Sequence, residues 1–309
     1  MLPITGKGLP AGARQSLSRA SHPGSAARRG SAPHRWARAA ALGLSLALFF
    51  AAGIAGTAAL PDTAAQLDAI LAADHRSPAN RARDVYRHPK ETLLFFGIAA
   101  DSRVAELWPE PGWYTEIIAP LVRARGKYYA ALQPPDPGSR HISAARQAFL
   151  EKLAGRPDLY DRVGLTTLAP PGTDIAPAGS LDLVVSFRNL HDWMAEGWAA
   201  QAIAAAYRAL KPGGVLGIVE HRGNAAQVQD PQARSGYVNQ DYAERLIEAA
   251  GFELLERSEI NANPRDRKDY PQGVWTLPPS YRLGATDRDD YAAIGESDRF
   301  TLKFRKPSR

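Results

Sequence analysis

The chain has 309 residues, 45% of them hydrophobic and 23% charged, the balance of a soluble globular protein with enough apolar material for one large core. It contains no cysteine, which excludes disulfides, thiolate metal sites and a lipidated cysteine at a leader junction. The net charge of +6 is no nucleic-acid signal: seven of the 38 basic residues and none of the 32 acidic ones lie in residues 1–61, so the remainder is close to neutral and has no bulk attraction for polyanions.

Residues 1–61 read as a leader. A basic, acid-free stretch ends at Arg35-Trp36-Ala37-Arg38. An uncharged run follows at 39–59, then small residues at Gly56, Thr57, Ala58 and Ala59 that suit a signal peptidase. The run of about 21 residues is also long enough to anchor the chain in a bilayer. The expectation is an exported or periplasmic protein, with a cleaved signal peptide or an inner-membrane anchor at 39–59.

Residues 62–97 carry helical spacing. Leu67, Ile70 and Leu71 share one face, Ser77-Pro78 opens a second helix that runs to His88-Pro89, and a third ends at Gly97. Beyond them strand-like and helical runs alternate. Strands are expected at 103–108, 126–132, 163–168, 181–187, 215–220, 252–260 and 300–304. Helices are expected at 114–122, 143–153, 195–210 and 240–250, with Gly213 or Gly214 capping the third of these. The run Leu181–Phe187 is apolar almost throughout, as in a strand covered on both faces of a parallel sheet. Such alternation implies a doubly wound, Rossmann-like α/β sheet whose ligand site lies beyond the carboxyl ends of the strands. The segment 261–297, rich in Pro, Asp, Arg and Gly, reads as a lid or insertion before the last strand.

Three places at those strand ends carry candidate chemistry. The first is the turn Trp108-Pro109-Glu110-Pro111-Gly112-Trp113-Tyr114 after the first strand, where a strand–helix turn exposes main-chain N–H groups to a ligand. By itself it equally suits an ordinary turn. The second is Arg188-Asn189-Leu190-His191-Asp192 after the buried strand. His191 suits a general base, Asn189 a hydrogen-bond donor and Arg188 a clamp for carboxylate or phosphate, with Trp193 and Trp198 as aromatic walls; helix capping by Asp192 is the plainer alternative. The third is Glu220-His221-Arg222, which reads as a hydrogen-bonded histidine or a substrate contact, with no third ligand to make a metal site. No phosphate-binding loop, HExxH or dinucleotide fingerprint is present.

VAELWPEPGWYTEIIAP, LDLVVSFRNLHDW, ALKPGGVLGIVEHR and ESDRFTLKFRKP together resemble a family of predicted bacterial, often exported, class I S-adenosylmethionine-dependent methyltransferases. The resemblance implies a seven-stranded sheet with an antiparallel last strand and S-adenosylmethionine as cofactor. It implies the cofactor bound over the turn Glu106–Thr115; with the loop residues above, the expected cofactor site is Glu106, Trp108, Gly112, Trp113, Tyr114 and Arg188, and Asn189, His191 and Asp192 are expected beside a small-molecule or envelope-associated methyl acceptor. Two departures stand out. Pro-Glu-Pro-Gly replaces a glycine-rich turn, and the second strand ends without the acid that usually meets the ribose hydroxyls. They leave a second expectation open, a non-catalytic binding module on the same fold.

Overall fold

The computed structural model describes residues 62–136 and 138–308; the leader expected at 1–61 lies outside the described residues. Four helices come first: α1 (Thr63–Ala72), α2 (Pro78–Arg81), α3 (Asp84–Arg87) and α4 (Pro89–Phe96). The Ser77 hydroxyl caps α2, and Gly97, at φ 83°, ends α4. The alternating unit then runs β1 (Arg103–Leu107), α5 (Thr115–Val122), β2 (Lys127–Leu132), α6 (Arg140–Gly155), α7 (Pro157–Tyr160), β3 (Gly164–Thr167) and β4 (Leu181–Phe187). The second half has α8 (Leu190–Ala195), α9 (Ala199–Ala209), β5 (Leu210–His221), α10 (Gln240–Glu248), β6 (Glu253–Ser258), α11 (Arg288–Ile294) and β7 (Arg299–Arg305).

The strands form one sheet in the order β3-β2-β1-β4-β5-β7-β6. The pairs from β3 through β5 are parallel, and β7 runs antiparallel to both β5 and β6. This is a doubly wound, Rossmann-like sheet with a reversed seventh strand, the arrangement that the resemblance implies. Successive strand residues face opposite sides: Ala105, Leu107 and Val184 join one apolar cluster with α8, α9 and α10, while Val104, Leu183 and Val185 join another with α1, α4 and α5. Helix α4 lies close against β5 because position 217 is glycine. A Cβ there would stand 2.6 Å from the Phe96 ring.

Two expectations need correction. The helix expected at 195–210 begins only at Ala199, because Gly197 at φ 77° turns the chain between α9 and the preceding α8. Gly213 and Gly214 do not cap α9. That helix ends one residue before Leu210, which is already extended and paired with Leu181. Pairing between β4 and β5 skips from Leu181–Leu210 to Leu183–Val215, so Lys211–Gly214 is an excursion held to the chain end by the Gly213 N–H on the Lys306 carbonyl, 2.9 Å. The segment 261–297 has a small core of its own, Tyr270, Val274, Leu277 and Tyr291 packed with Tyr237. No helix among the described residues is long and apolar enough to cross a membrane.

Candidate active site

A cavity of about 1010 Å³ opens at the carboxyl edge of the sheet, bordered by the β1 turn, the loop after β4, α3 and residues 274–282. Pro109 and Pro111 line it without filling it, and it reaches His191 and His221. Of the nine sequence-designated residues, Glu106, Trp108, Trp113, Tyr114, Arg188, Asn189, His191 and Asp192 border this cavity, and Gly112 does not. Gly112, at φ 90°, faces α6, where a Cβ would meet the Phe149 ring at 3.0 Å. Its glycine answers to turn geometry and packing.

The turn differs from a backbone cradle. Pro109 and Pro111 carry no N–H, the Trp108 N–H is taken by the Ala131 carbonyl (2.8 Å), and the Gly112 N–H by that of Pro109 (2.6 Å). Two carboxyls stand there instead. Glu106 is buried at the end of β1 and accepts hydrogen bonds from the hydroxyls of Tyr128 (2.6 Å) and Thr115 (3.3 Å). Burial pushes its pKa up to about 8, against the pull of those two hydroxyls. Glu110 bends toward the end of β2, where Oε1 accepts the Gln133 N–H at 3.0 Å, and its buried Oε2 has no partner. Burial raises this carboxyl to about 7. Trp113 and Tyr114 fasten the turn to the first helices: the Trp113 indole N–H donates to the Asn80 carbonyl (3.1 Å), and the Tyr114 hydroxyl to that of Arg87 (3.2 Å). The Tyr114 ring also stacks on Phe187, with centroids 3.5 Å apart.

At the end of β4, Arg188 takes a left-handed φ of 64°, a conformation that costs a non-glycine residue about 1 kcal/mol and recurs at functional sites. Asn189 is not a free donor. Its amide nitrogen is spent on the Leu107 carbonyl (2.7 Å) and the Ser186 hydroxyl (3.3 Å), tying the ends of β4 and β1 together; the oxygen is what it offers to the cavity. His191 and His221 lie with ring centroids 5.3 Å apart. The fully buried Glu220 accepts the His191 Nδ1–H at 3.0 Å and the His191 and His221 main-chain N–H groups at 3.2 and 2.7 Å, leaving His191 Nε2 as the basic position, 3.5 Å from Asp192 Oδ1. Burial disfavours charge on His191, but Glu220 and Asp192 outweigh it and raise its pKa. Burial, with His191 and Arg188 nearby, drives His221 well below the usual histidine range. Two imidazoles pushed apart in this way suit different roles.

His191, Glu220 and His221, expected on one edge of the sheet, bring three potential ligand atoms within 4.8 Å, where the sequence identified no third ligand. The carboxylate is already bonded by its neighbours, His221 Nδ1 pairs with the Ser297 hydroxyl (2.5 Å), and three guanidiniums act on His221. A cation would enter against that positive charge, and the arrangement is that of a hydrogen-bonded proton acceptor. Trp193 and Trp198 are not cavity walls. They pack with Trp108 in the core, with indole centroids 5.4–5.9 Å apart. The wall beside His191 is Trp275, 5.9 Å away and edge-on. Glu110, Trp275, Arg83, Arg87 and Arg299 also border the site. Of these, only Glu110 and Arg299 stood in motifs already quoted.

No protein-family model and no curated protein matches the chain. Solved structures of similar architecture include a SAM-dependent methyltransferase from Aquifex aeolicus, with 13% identity, TM-score 0.49, and coverage of 79% of this chain and 98% of that one. The cyclase SpnF aligns at 19% identity and TM-score 0.49 over 77% and 86% of the two chains. Phosphoethanolamine N-methyltransferase 2 from Haemonchus contortus, solved with S-adenosyl-L-methionine, aligns at 16% identity and TM-score 0.48 over 72% of this chain and 53% of that one. What the chain itself shows is the Rossmann-like sheet with its reversed seventh strand; a fold hosts many chemistries, and the activity has to be argued from the site.

Proposed function

We propose that the chain is an S-adenosylmethionine-dependent methyltransferase. One observation carries the reading: a single cavity joins two carboxyls at the ends of β1 and β2 to a Glu220-held histidine beyond β4. The residues present suit the cofactor. Glu106 is a partner for the methionine ammonium, and the orphaned Glu110 Oε2 is an acceptor for ribose hydroxyls beside Gln133, where the strand itself ends in Leu132. Bound there, S-adenosylmethionine would supply an electrophilic methyl group on a sulfonium leaving group. The protein's share is positioning and proton handling. Asn189 fixes the β4 loop against β1, and His191 Nε2 takes the proton that a hydroxyl or amine acceptor loses as it is methylated. Titration of the full chain with S-adenosylmethionine in a calorimeter tests the reading. Saturable binding is expected, and no heat under conditions where the chain is folded overturns it.

A further inference from the structure

Four arginines converge on the end of the cavity that holds the two histidines: Arg83 and Arg87 at α3, Arg188 after β4 and Arg299 at the start of β7. Glu296 is shared by Arg83 (2.6 Å), Arg87 (3.3 Å) and Arg299. The Arg188 side chain makes no hydrogen bond or ion pair among the described residues, only its main-chain N–H donating, to the Val219 carbonyl, and Arg83 Nη2 and Arg87 Nη2 are buried without a partner. Glu220 cannot serve them, since its oxygens are held by His191 and two main-chain N–H groups. Positive charge therefore exceeds negative charge in a partly desolvated space, an arrangement that costs energy unless an anion completes it.

The cofactor does not supply that anion. S-adenosylmethionine carries one carboxylate against an ammonium and a sulfonium, so its arrival adds positive charge. The charged groups that act on Glu106 are Glu110 and Lys152, whereas Arg188, Arg299 and Arg87 act on His221 and on Tyr114, whose hydroxyl donates to the Arg87 carbonyl. The arginines thus lie away from Glu106 and Glu110, beside the histidines. We propose that this end binds an oxyanion of the methyl acceptor, a phosphate or a carboxylate, clamped by the unpaired fork of Arg188 with Arg87 and Arg299. Guanidinium forks match such groups in a planar, two-bond geometry that a lysine cannot reproduce. Calling the anion part of an acceptor rests on the methyltransferase reading; the anion subsite itself does not.

The test titrates the full chain with inorganic phosphate and, separately, with acetate, at low ionic strength, with and without S-adenosylmethionine. At least one of the two is expected to bind saturably, and the stronger of them identifies the headgroup. R188Q should weaken that binding at least about tenfold with a melting temperature no lower than that of the native chain, because the native side chain holds nothing in the fold and its charge is crowded by other arginines. The exposed control R156Q should leave it alone, and S-adenosylmethionine should not displace the anion. Absence of binding, equal binding in R188Q, equal weakening by R156Q, or displacement by the cofactor each overturns the proposal. Should R188Q fail to fold, R188K replaces it: weaker anion binding supports the clamp and unchanged binding overturns it. Anion binding without cofactor binding would leave this subsite standing while removing the methyltransferase, and the reverse result would do the opposite.

Discussion

At the level of single residues, the turn after β1 shows how a missing glycine can be compensated. Glu110 sits where a backbone approach was expected, and its carboxyl reaches the end of the neighbouring strand. E110Q should weaken cofactor binding about tenfold by calorimetry, as for loss of one charge-assisted hydrogen-bond acceptor, and weaken adenosine comparably while leaving methionine unaffected. His191 makes a second prediction. Only its neutral form accepts a proton, and Glu220 and Asp192 raise its pKa, so methyl transfer should rise with pH through a midpoint above the ordinary histidine range of about 6.5. H191Q should lower the turnover rate by about 10²–10⁴ without changing cofactor affinity, and E220Q should move the midpoint down. The β4 loop could be found from sequence because the apolar run Leu181–Phe187 announces where its buried strand stops. Glu110 could not, since its role depends on Gln133 across a crossover, and Asn189 was misjudged because its Leu107 partner is equally remote.

Among the elements, Glu296 is the joint that matters most. It ties α3 to β7 through Arg83, Arg87 and Arg299, residues about two hundred positions apart for the first two pairs. Burial opposes its charge, but Arg299, Arg87 and Arg83 prevail and hold its pKa well below the glutamate range. A depressed pKa contributes stability above the unfolded value and forfeits it as pH falls. E296Q should therefore destabilise the chain by about 3–5 kcal/mol near neutrality, measured by denaturant unfolding, with the deficit shrinking in acid. The parallel strands were plain from their apolar runs, and β4 was bounded to the residue. The second half of the sheet was read less well. Helical spacing runs on across Gly197 and sets the start of α9 too early, and Lys211–Gly214 resembles a helix stop although it serves a strand whose partner β7 sits near the chain end.

For the molecule as a whole, acid and base act on the cavity from opposite sides. Glu106 and Glu110 have folded pKa values of about 8 and about 7, above the ordinary 4.5. Each favours the fold most at low pH, with that contribution lost as pH rises from about 4.5 through those values. Glu296 works the other way below that range. The unliganded chain should have its highest melting temperature at mildly acidic pH and decline toward pH 8; E106Q should flatten the decline, and a scan in which it does not would refute the shift. Architecture was accessible from the sequence because every strand carries its own pattern. The cavity was only half accessible, since Arg83 with Arg87, Trp275 and Arg299 come from three places in the chain that only folding assembles.

The segment between β6 and β7 is moored at its base. The Asn263 amide donates to the carbonyls of Ile294 (2.9 Å) and Glu296 (2.7 Å), and the Arg299 N–H to that of Asn261 (3.1 Å). With both feet fastened, the Val274 N–H on the Ser235 carbonyl (2.8 Å) and its tyrosines packed on Tyr237, it should move as one stiff unit with that neighbouring loop rather than unravel. Traffic in and out of the cavity would then be paced by one collective motion of the Trp275 edge, and a substitution at Asn263, far from any chemistry, would change how long a product stays.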